Sequence, residues 1–315
     1  MKTIDVNGKK LSQITLGTVQ LGMNYGIAND GGQPDSKQSN AMLDCALKNG
    51  ITSLDTARAY GTSEAVLGNF FKEYKPEPMP FVVTKALRDL VENPTEKDVE
   101  ETMYKDVETS LETLGLNKID CLLIHHAPHV NANEKAVTEV MEKLIKENYI
   151  SMGGISIYTP EDLDVMLRND VYQATQIPMS LFDQKLIELG YLDKMKEKNI
   201  LVFVRSVFLQ GLFFMDPAKF TDPLLIEYAA PALNKLREFC ERCNMSIAEF
   251  AISFIRDVPG VTSLVLGADT EEQIIQNIGY INAPVIPDEI REEAARVFRN
   301  VNMDKIMEVL RRPKK

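Results

Sequence analysis

The chain has 315 residues, of which 44% are hydrophobic and 26% are charged, and its formal net charge is −11. This length and apolar content are enough to bury a sizeable core in one large α/β domain or two smaller ones. The negative charge disfavours binding to nucleic acid or to an anionic membrane surface, because both would repel it.

The N-terminus has no pattern typical of a signal peptide, and no apolar run reaches the roughly 20 residues that a membrane span needs. We therefore expect a cytoplasmic protein. The four cysteines are too few for a disulfide framework. Cys240 and Cys243 form one CxxC pair without the further ligands of a zinc site, so we interpret them as reduced thiols on a helix and expect no metal.

Short apolar runs alternate with amphipathic stretches along the whole chain. The first two candidates, residues 2–7 and 9–12, flank Gly8 and predict a hairpin that closes the bottom of a barrel. Runs that are apolar throughout are typical of parallel strands covered on both faces. Eight strands, most of them apolar throughout, are predicted at residues 14–17, 52–54, 81–84, 121–124, 152–155, 174–177, 201–204 and 263–266.

The helix candidates between these strands have recognisable ends. Thr95, Thr159 and Thr270 are each followed three positions later by an acidic or amide residue. This spacing is typical of a helix N-terminus, because the threonine satisfies free N–H groups of the first turn. Gly50 predicts a helix end, where glycine readily adopts a positive φ. Further helices follow the last strand and predict a C-terminal helical extension.

Eight β/α units without a composition break or a low-complexity linker predict an α/β fold, a (β/α)8 TIM barrel formed by residues 1–315 as one domain. The alternative is a doubly wound sheet, which would carry GxGxxG directly after its first strand. Here the first strand runs into Gly17-Thr18-Val19-Gln20-Leu21-Gly22, which lacks that spacing. The barrel is therefore favoured.

Four polar side chains follow consecutive strands, at the end of a barrel where active sites are built. Asp55 comes after the second strand with Tyr60 just beyond, Lys85 after the third and His125 after the fourth. Each alone has a structural interpretation: a helix cap, a half-buried loop aromatic, a snorkelling lysine and a hydrogen-bonded core histidine, respectively. Together they form a set of groups suited to delivering a proton.

A free tyrosine has a pKa of about 10 and is a weak acid at neutral pH. The ammonium of Lys85 would stabilise the phenolate of Tyr60 and lower its pKa, while Asp55 keeps Lys85 charged and in place. The imidazole of His125 could hydrogen-bond a carbonyl oxygen, the atom on which negative charge develops during reduction. The four residues therefore predict proton delivery to a carbonyl group.

Residues 50–64, GITSLDTARAYGTSE, resemble the G-x4-DTA-x2-YG-x-SE signature of the aldo-keto reductase family. The resemblance extends over residues 17–277. Its further matches are Val83-Thr84-Lys85, Leu122-Leu123-Ile124-His125, Gly154-Ile155-Ser156, Gln176, Gln210-Gly211-Leu212, and Gly267-Ala268 with Gln273 and Asn277. It implies an NAD(P)H-dependent reductase that converts an aldehyde or ketone to an alcohol by direct hydride transfer, with Asp55, Tyr60, Lys85 and His125 as catalytic residues and Tyr60 as the proton donor.

The same resemblance implies where the cofactor, NADP or NAD, is bound. Ser156 and Gln176 would hydrogen-bond the nicotinamide carboxamide. Ser206, Gln210 and Gly211 would line the pyrophosphate, and Gly267, Gln273 and Asn277 the adenosine end. Gly17, Thr18 and Arg205 complete the implied cofactor contacts, and the helix start capped by Thr270 offers free N–H groups to a phosphate.

Three features depart from the family pattern. Ile157 stands where many members have asparagine. Arg205 replaces an aromatic residue; its guanidinium could stack on the nicotinamide, bind a substrate carboxylate or phosphate, or pair with a structural acid. Asp269, Glu271 and Glu272 stand where NADP-preferring members carry lysine and arginine, and their charges would repel a 2′-phosphate. We therefore expect little preference for NADP over NAD, with NAD as a usable cofactor.

The substrate is expected to be a small carbonyl compound, with no nucleic-acid or membrane partner, and the protein to be a monomer or a small homo-oligomer. Residues 16–29 resemble a bacterial subgroup of the family, some of it linked to surface-sugar metabolism, which points to a sugar-derived carbonyl. Loops at 19–35, 126–132 and 211–223 are expected to surround the substrate.

Two other functions remain as alternatives. One is a cofactor-binding regulatory module with little turnover, against which the intact set of four catalytic residues argues. The other is a barrel enzyme that uses Lys85 as a Schiff-base nucleophile, which requires a lowered lysine pKa. Asp55 next to Lys85 would hold the ammonium protonated and disfavours this chemistry.

Overall fold

The computed structural model describes residues 1–25 and 32–312. Two short antiparallel strands, β1 (Thr3–Val6) and β2 (Lys9–Ser12), form a hairpin ahead of the main sheet. Eight parallel strands then form a closed barrel. They are β3 (Ile14–Gly17), β4 (Ser53–Asp55), β5 (Phe81–Ala86), β6 (Ile119–Ile124), β7 (Ile150–Ser156), β8 (Tyr172–Pro178), β9 (Leu201–Arg205) and β10 (Ser263–Leu266).

Neighbours in the chain are neighbours in the barrel, and β10 pairs with both β9 and β3 to close it. The predicted TIM barrel is confirmed. The strand bounds 14–17 and 263–266 match the prediction, whereas most of the others extend past the predicted ends. Lys85 and Ala86, for example, continue β5 because backbone pairing with β6 does not require apolar side chains. The second strand, predicted at 52–54, is shifted by one residue and includes Asp55.

Helices surround the barrel. They are α1 (Val19–Gly22), α2 (Ser36–Lys48), α3 (Ser63–Tyr74), α4 (Glu96–Leu114), α5 (Ala127–Ala132), α6 (Glu134–Lys146), α7 (Pro160–Arg168), α8 (Lys185–Glu188), α9 (Tyr191–Glu197), α10 (Ala230–Cys243), α11 (Ile247–Arg256), α12 (Glu271–Ile281), α13 (Asp288–Phe298) and α14 (Met303–Leu310). A π-helical turn, Leu225–Ala229, leads into α10. The helix starts predicted at Thr95, Thr159 and Thr270 are confirmed, and each of these residues is the N-cap of its helix.

The three loops expected around the substrate are more ordered than predicted. Residues 126–132 contain the short helix α5, and residues 211–223 contain most of a 3₁₀ turn, Leu209–Phe214, and a second one, Pro217–Lys219. Residues 19–35 begin with α1, and residues 26–31 lie outside the described parts of the chain. Cys240 and Cys243 are free thiols on α10, the predicted helix. Over residues 1–25 and 32–312, no helix has the length and hydropathy to cross a bilayer.

The N-terminal hairpin closes the bottom of the barrel, as predicted. Val6 and Leu11 pack against the interior side chains of the barrel strands. Lys9 Nζ donates to Asp120 Oδ2 at 2.7 Å and to the backbone oxygen of Pro80 at 3.2 Å, which ties the hairpin to β6 and to the residue before β5. At the other end of the sequence, α13 inserts Phe298 against Phe182, so the predicted C-terminal helical extension packs on the barrel.

Side chains along a strand alternate between the barrel interior and the helix layer. Phe81 and Val83 of β5, and Cys121 and Leu123 of β6, belong to the interior core. Val82 and Leu122 belong to the layer beneath the helices. The next interior positions at the carboxyl ends of these two strands are Lys85 and His125. The same alternation brings Gly17, Asp55, Ser156, Gln176, Arg205 and Gly267 to the interior side of the barrel mouth.

Candidate active site

The centre of the barrel mouth holds a buried ion pair. Lys85 Nζ donates to Asp55 Oδ1 at 2.6 Å and to the backbone oxygen of Thr56 at 2.9 Å. Lys85 is 1% exposed and Asp55 is 2% exposed. Burial by itself lowers the pKa of Lys85, but the adjacent Asp55 and Tyr60 outweigh it, so the pKa lies above its ordinary value. Lys85 is therefore a fixed ammonium ion. Asp55 does not act as a helix cap here.

Gln176 contributes to this pair. Its amide Nε2 donates to Asp55 Oδ1 at 2.8 Å, so one carboxylate oxygen accepts from both Gln176 and Lys85. The resemblance assigned Gln176 to the nicotinamide. The structure shows that part of its amide is already engaged in orienting Asp55.

Tyr60 lies on the loop between β4 and α3, directly beside Lys85. Lys85 Nζ is 4.7 Å from the centroid of the Tyr60 ring. The ring of His125 meets that of Tyr60 edge-on, with 5.7 Å between the centroids and an interplanar angle of 88°. The structure thus brings together all four residues proposed from the sequence, two from strands and two from the segments that follow strands.

The pKa of Tyr60 differs from the expectation. Burial raises the pKa of the phenol above its ordinary value; the charge of Lys85 lowers it, and that of Asp55 raises it further. The expected effect of Lys85 is present, but it is smaller than the cost of burying a phenolate. Tyr60 is therefore protonated at neutral pH, as a proton donor must be.

The loop that carries Tyr60 is held from both sides. On one side, a Cβ atom on Gly61 would lie 2.3 Å from the backbone oxygen of Gly22, and Gly61 has a φ of +57°, so glycine is required there. On the other side, Arg58 Nη1 donates to Glu64 Oε2 at 2.8 Å. Thr84 Oγ1 donates to the second oxygen of Glu64 at 2.6 Å. The loop is thereby fixed to β5, the strand of Lys85.

Glu64 is a residue that sequence reasoning included in a signature without giving it a role. It is 3% exposed in the first turn of α3. A carboxylate that deep in the protein requires partners, and Arg58 and Thr84 supply them. The signal in the sequence was an acidic residue on the apolar stripe of the helix formed by Leu67, Phe70 and Phe71.

His125 directly follows β6 and is 6% exposed. Burial, together with the charges of Lys85, Arg88 and Arg205, lowers the pKa of His125 to about 3. The imidazole is therefore neutral and can donate one hydrogen bond. Its buried Nδ1 has no partner within the part of the chain that the structure describes. His126 instead packs against His129, with 4.7 Å between the ring centroids.

The residues assigned to the nicotinamide end are almost completely buried. Ser156 is 2% exposed and ends β7. Thr18 is fully buried; its hydroxyl donates to the backbone oxygen of Asp55 at 2.9 Å and lies 2.7 Å from Ser63 Oγ. The Thr18 side chain thus supports the end of β4 and is not exposed to a ligand. Ile157 is also fully buried, and its apolar side chain cannot make the hydrogen bond of an asparagine.

The residues assigned to the pyrophosphate follow β9 on an irregular turn. Ser206, Gln210 and Gly211 have positive φ angles of 67°, 57° and 96°. The backbone N–H of Gly211 donates to the oxygen of Phe208 at 3.0 Å within this turn. The phosphate contact assigned to these three positions stays a prediction.

The residues assigned to the adenosine end brace the turn after β10. Gln273 Oε1 accepts from the backbone N–H of Asp269 at 2.6 Å, and Asn277 Nδ2 donates to the backbone oxygen of Gly267 at 3.2 Å. A Cβ atom on Gly267 would lie 2.3 Å from Gln20 Nε2. Gln20 Oε1 is buried and has no partner among the described residues. Gln20 is therefore a further candidate ligand contact, which the sequence pattern did not single out.

Arg205 ends β9 at the barrel mouth. Its Nη2 donates to the backbone oxygen of Ile157 at 3.2 Å, and its Nη1 lies 3.5 Å from Ser206 Oγ. Its Cζ lies 4.9 Å from the centroid of the Tyr158 ring. Its hydrogen bonds and ring contact within residues 1–25 and 32–312 are with backbone, hydroxyl and aromatic groups. Its charge also acts on Asp183, where it opposes the rise in pKa that burial causes, so the interpretation of Arg205 as the partner of a structural acid stays a prediction. The same residues contain no cluster of three or more side chains suited to a metal ion.

Comparison with known proteins extends these observations. A family model described as "Aldo/keto reductase family" matches residues 13–295. Aldo-keto reductase YhdN of Bacillus subtilis is 27% identical, over 95% of this chain and 93% of its own length. The holo form of aldo-keto reductase AKR11C1 from Bacillus halodurans has the same fold, with a TM-score of 0.77 and 20% identity over 96% of this chain and 97% of its own.

A second solved structure is an aldo/keto reductase from Klebsiella pneumoniae in complex with NADP and acetate. It has a TM-score of 0.67 and 19% identity, over 92% of each chain. Likeness at this level of identity shows the fold alone, whereas the family model matches most of the sequence directly. The chain belongs to the aldo/keto reductase family, oxidoreductases that generally reduce small carbonyl compounds with NAD(P)H.

Proposed function

We propose that this protein reduces an aldehyde or ketone to an alcohol by direct hydride transfer from NAD(P)H, with Tyr60 as the proton donor. The observation that carries the proposal is the position of Lys85, whose Nζ lies 2.6 Å from Asp55 Oδ1 and 4.7 Å from the centroid of the Tyr60 ring. A sugar-derived carbonyl is among the candidate substrates.

The proton is delivered by Tyr60. Its pKa lies above the ordinary value because the phenol is buried, so the donor is fully protonated before reaction. When the phenol gives up its proton, the new phenolate lies beside the ammonium of Lys85, and the two charges attract each other in a site with little water. Asp55 holds that ammonium in place. Lys85 thus offsets the cost of burial at the moment when the phenolate forms.

His125 orients the carbonyl oxygen. Its pKa of about 3 keeps the ring neutral, so it does not compete with Tyr60 as an acid. A neutral imidazole with one N–H can donate a hydrogen bond to the substrate oxygen, where negative charge develops. The edge-on contact between the rings of His125 and Tyr60 places both donors on the same side of the mouth.

The mouth fits a nicotinamide cofactor, which when bound would supply the hydride. Ser156 would bind the carboxamide together with Gln176. The turn at Ser206, Gln210 and Gly211 would hold the phosphates, and Gly267 would allow the close approach of the adenosine end, next to Gln20. The Klebsiella pneumoniae relative was solved with NADP, and we infer that this chain binds the same class of cofactor at the same end of its barrel.

We propose that NAD is used at least as well as NADP. Glu271 and Glu272 are exposed at the start of α12, and the sequence from Gly267 to Asn277 contains no lysine or arginine. A 2′-phosphate in this region would meet negative charge. The chemistry of a Schiff base on Lys85 is not supported, because the raised pKa of Lys85 keeps it from acting as a nucleophile.

We further propose that residues 1–315 act as one domain, in the cytoplasm, as a monomer or a small homo-oligomer, on a small carbonyl substrate and without nucleic-acid or membrane partners. The net charge of −11 supports the exclusion of anionic partners.

The proposal is tested by a fluorescence titration with NADH and NADPH, followed by a panel of aldehydes and ketones on the wild-type protein and on Tyr60→Phe. Both proteins should bind the cofactor equally, and only the wild type should oxidise it with a carbonyl substrate. Tight cofactor binding without turnover on any carbonyl would favour the regulatory module instead.

A further inference from the structure

Arg205 is a cation at the mouth whose role the proposed reaction leaves open. It follows the interior residue Phe203 by two positions on β9, so its side chain starts on the interior side. In the pairing of β8 with β9, Arg205 lies opposite Pro178. Pro178 is two residues beyond Gln176, and the amide of Gln176 binds Asp55. Arg205 therefore stands one layer above the Asp55–Lys85 pair, toward solvent.

Several hydrogen-bond donors of Arg205 remain available. A guanidinium has five N–H donors in one plane. One is given to the backbone oxygen of Ile157, and a second points to Ser206 Oγ at 3.5 Å. The ring of Tyr158 covers one face of the guanidinium, but stacking leaves the donors in the plane free. The free edge suits two-point binding of a carboxylate or a phosphate.

The charges around the site also favour an anionic ligand at Arg205. Lys85 is neutralised by Asp55 at 2.6 Å, whereas Arg205 forms no ion pair within residues 1–25 and 32–312. The positive charge of Arg205 lowers the pKa of both Tyr60 and His125, so its field reaches both proposed catalytic groups. Arg205 also acts on Asp183, where its charge opposes the rise in pKa that burial causes, but no ion pair joins the two. A cation at the mouth without an ion-pair partner in the described parts of the chain favours an anionic ligand.

Resting on the proposed function, we propose that the substrate is a carbonyl compound that also carries a carboxylate or a phosphate, and that Arg205 binds this anionic group. Ile157 and Tyr158 hold the guanidinium in place, while Tyr60 and His125 bind the carbonyl oxygen one layer deeper. The anion thereby sets the orientation of the substrate before reduction.

The kinetic test compares two matched pairs of substrates on wild type, Arg205→Gln and Arg88→Gln. The pairs are 4-carboxybenzaldehyde with benzaldehyde, and glyceraldehyde 3-phosphate with glyceraldehyde, so they distinguish a carboxylate from a phosphate. The wild type should prefer the charged member of at least one pair by about tenfold or more in kcat/KM. Arg205→Gln should remove that preference, so that the ratio of kcat/KM for the charged member to kcat/KM for the neutral member falls about tenfold or more.

Arg88 is the matched control, since it is an exposed cation whose charge also lowers the pKa of His125. Arg88→Gln should change the preference less than about threefold. An equal loss in both variants would overturn the proposal, because it would show a general effect of charge. A wild type without preference for the charged member of either pair would overturn it as well.

A binding measurement separates Arg205 from the reaction itself. Benzoate and benzamide are titrated against the enzyme saturated with reduced cofactor, and benzoate should bind about tenfold more tightly in the wild type and equally in Arg205→Gln. The Kd values of NADH and NADPH should stay within about threefold; a larger rise in Arg205→Gln would assign Arg205 to the cofactor and overturn the proposal. If no carbonyl is reduced, the proposed function fails, yet the comparison of benzoate with benzamide still decides the role of Arg205.

Discussion

Lys85 Nζ lies 2.6 Å from Asp55 Oδ1, and both side chains are almost completely buried at the mouth of the barrel. A buried ion pair is costly to desolvate and is weak support for stability by itself. Here the pair gains further hydrogen bonds, from Gln176 to Asp55 and from Lys85 to the backbone oxygen of Thr56. The arrangement keeps a cation next to a phenol, which is what delivery of the Tyr60 proton requires.

The first prediction concerns Asp55→Asn. Removing the carboxylate leaves the ammonium of Lys85 buried without a partner of opposite charge, so the free energy of unfolding should fall by about 3 kcal/mol. The kcat for carbonyl reduction should fall by about 100-fold, because Lys85 no longer stabilises the Tyr60 phenolate. Urea unfolding and steady-state kinetics measure the two effects. Asp44→Asn, which breaks the exposed pair with Lys48, should leave both unchanged.

The second prediction concerns pH. Tyr60 must be protonated, and burial raises its pKa above the ordinary value of about 10. His125 must be neutral, and its pKa is about 3. The kcat/KM for carbonyl reduction, which reports the free enzyme, should therefore be flat from about pH 5 to pH 9 and fall only outside that range. A transition near pH 6.5 would show that His125 titrates like a solvent-exposed histidine.

The third prediction concerns the choice of cofactor. Glu271 and Glu272 are exposed at the helix start that the resemblance places at the adenosine end. Replacing both with lysine should lower the Kd of NADPH by about tenfold or more and leave that of NADH within about threefold, because only NADPH carries the 2′-phosphate. Fluorescence titration of wild type and variant measures both constants. A wild type that binds NADPH a hundredfold more tightly than NADH would contradict this account.

The fourth prediction concerns Glu64, which ties the Tyr60 loop to β5. Glu64→Gln removes the charge of a buried carboxylate that accepts hydrogen bonds from Arg58 at 2.8 Å and from Thr84 at 2.6 Å. The free energy of unfolding should fall by about 2 kcal/mol, because Glu64 is buried whereas its partner Arg58 is partly exposed. Thermal and urea unfolding measure the change. Glu100→Gln, which breaks the exposed pair with Lys143, is the control and should have no measurable effect.

The sequence was sufficient to predict the barrel because parallel strands leave a strong local pattern. Short, mostly apolar runs such as 14–17 and 263–266 are largely buried on both faces, and their bounds agree with the structure. Strand ends were less accurate where polar residues continue the backbone ladder, as at Lys85 in β5. The polarity of a residue does not show whether it ends a strand or begins a loop. Its backbone continues the strand only if the neighbouring strand offers hydrogen-bond partners beside it.

The candidate site was predictable in its members but not in its contacts. Asp55, Lys85 and His125 follow strands, and parallel strands bring their carboxyl ends together, so their meeting followed from topology. The amide of Gln176 on Asp55, the burial of Thr18 and the net rise in the pKa of Tyr60 depend on three-dimensional packing. No spacing in a single sequence encodes how much water such a group loses.

The most direct test of the central claim is a single-turnover reaction with a cofactor deuterated at the nicotinamide C4 position that carries the transferred hydride. The wild type should place deuterium on the carbinol carbon of the alcohol product, and Tyr60→Phe should do so at least about 100-fold more slowly with an unchanged cofactor Kd. An unlabelled product, or an equal rate in Tyr60→Phe, would contradict direct hydride transfer with Tyr60 as the proton donor.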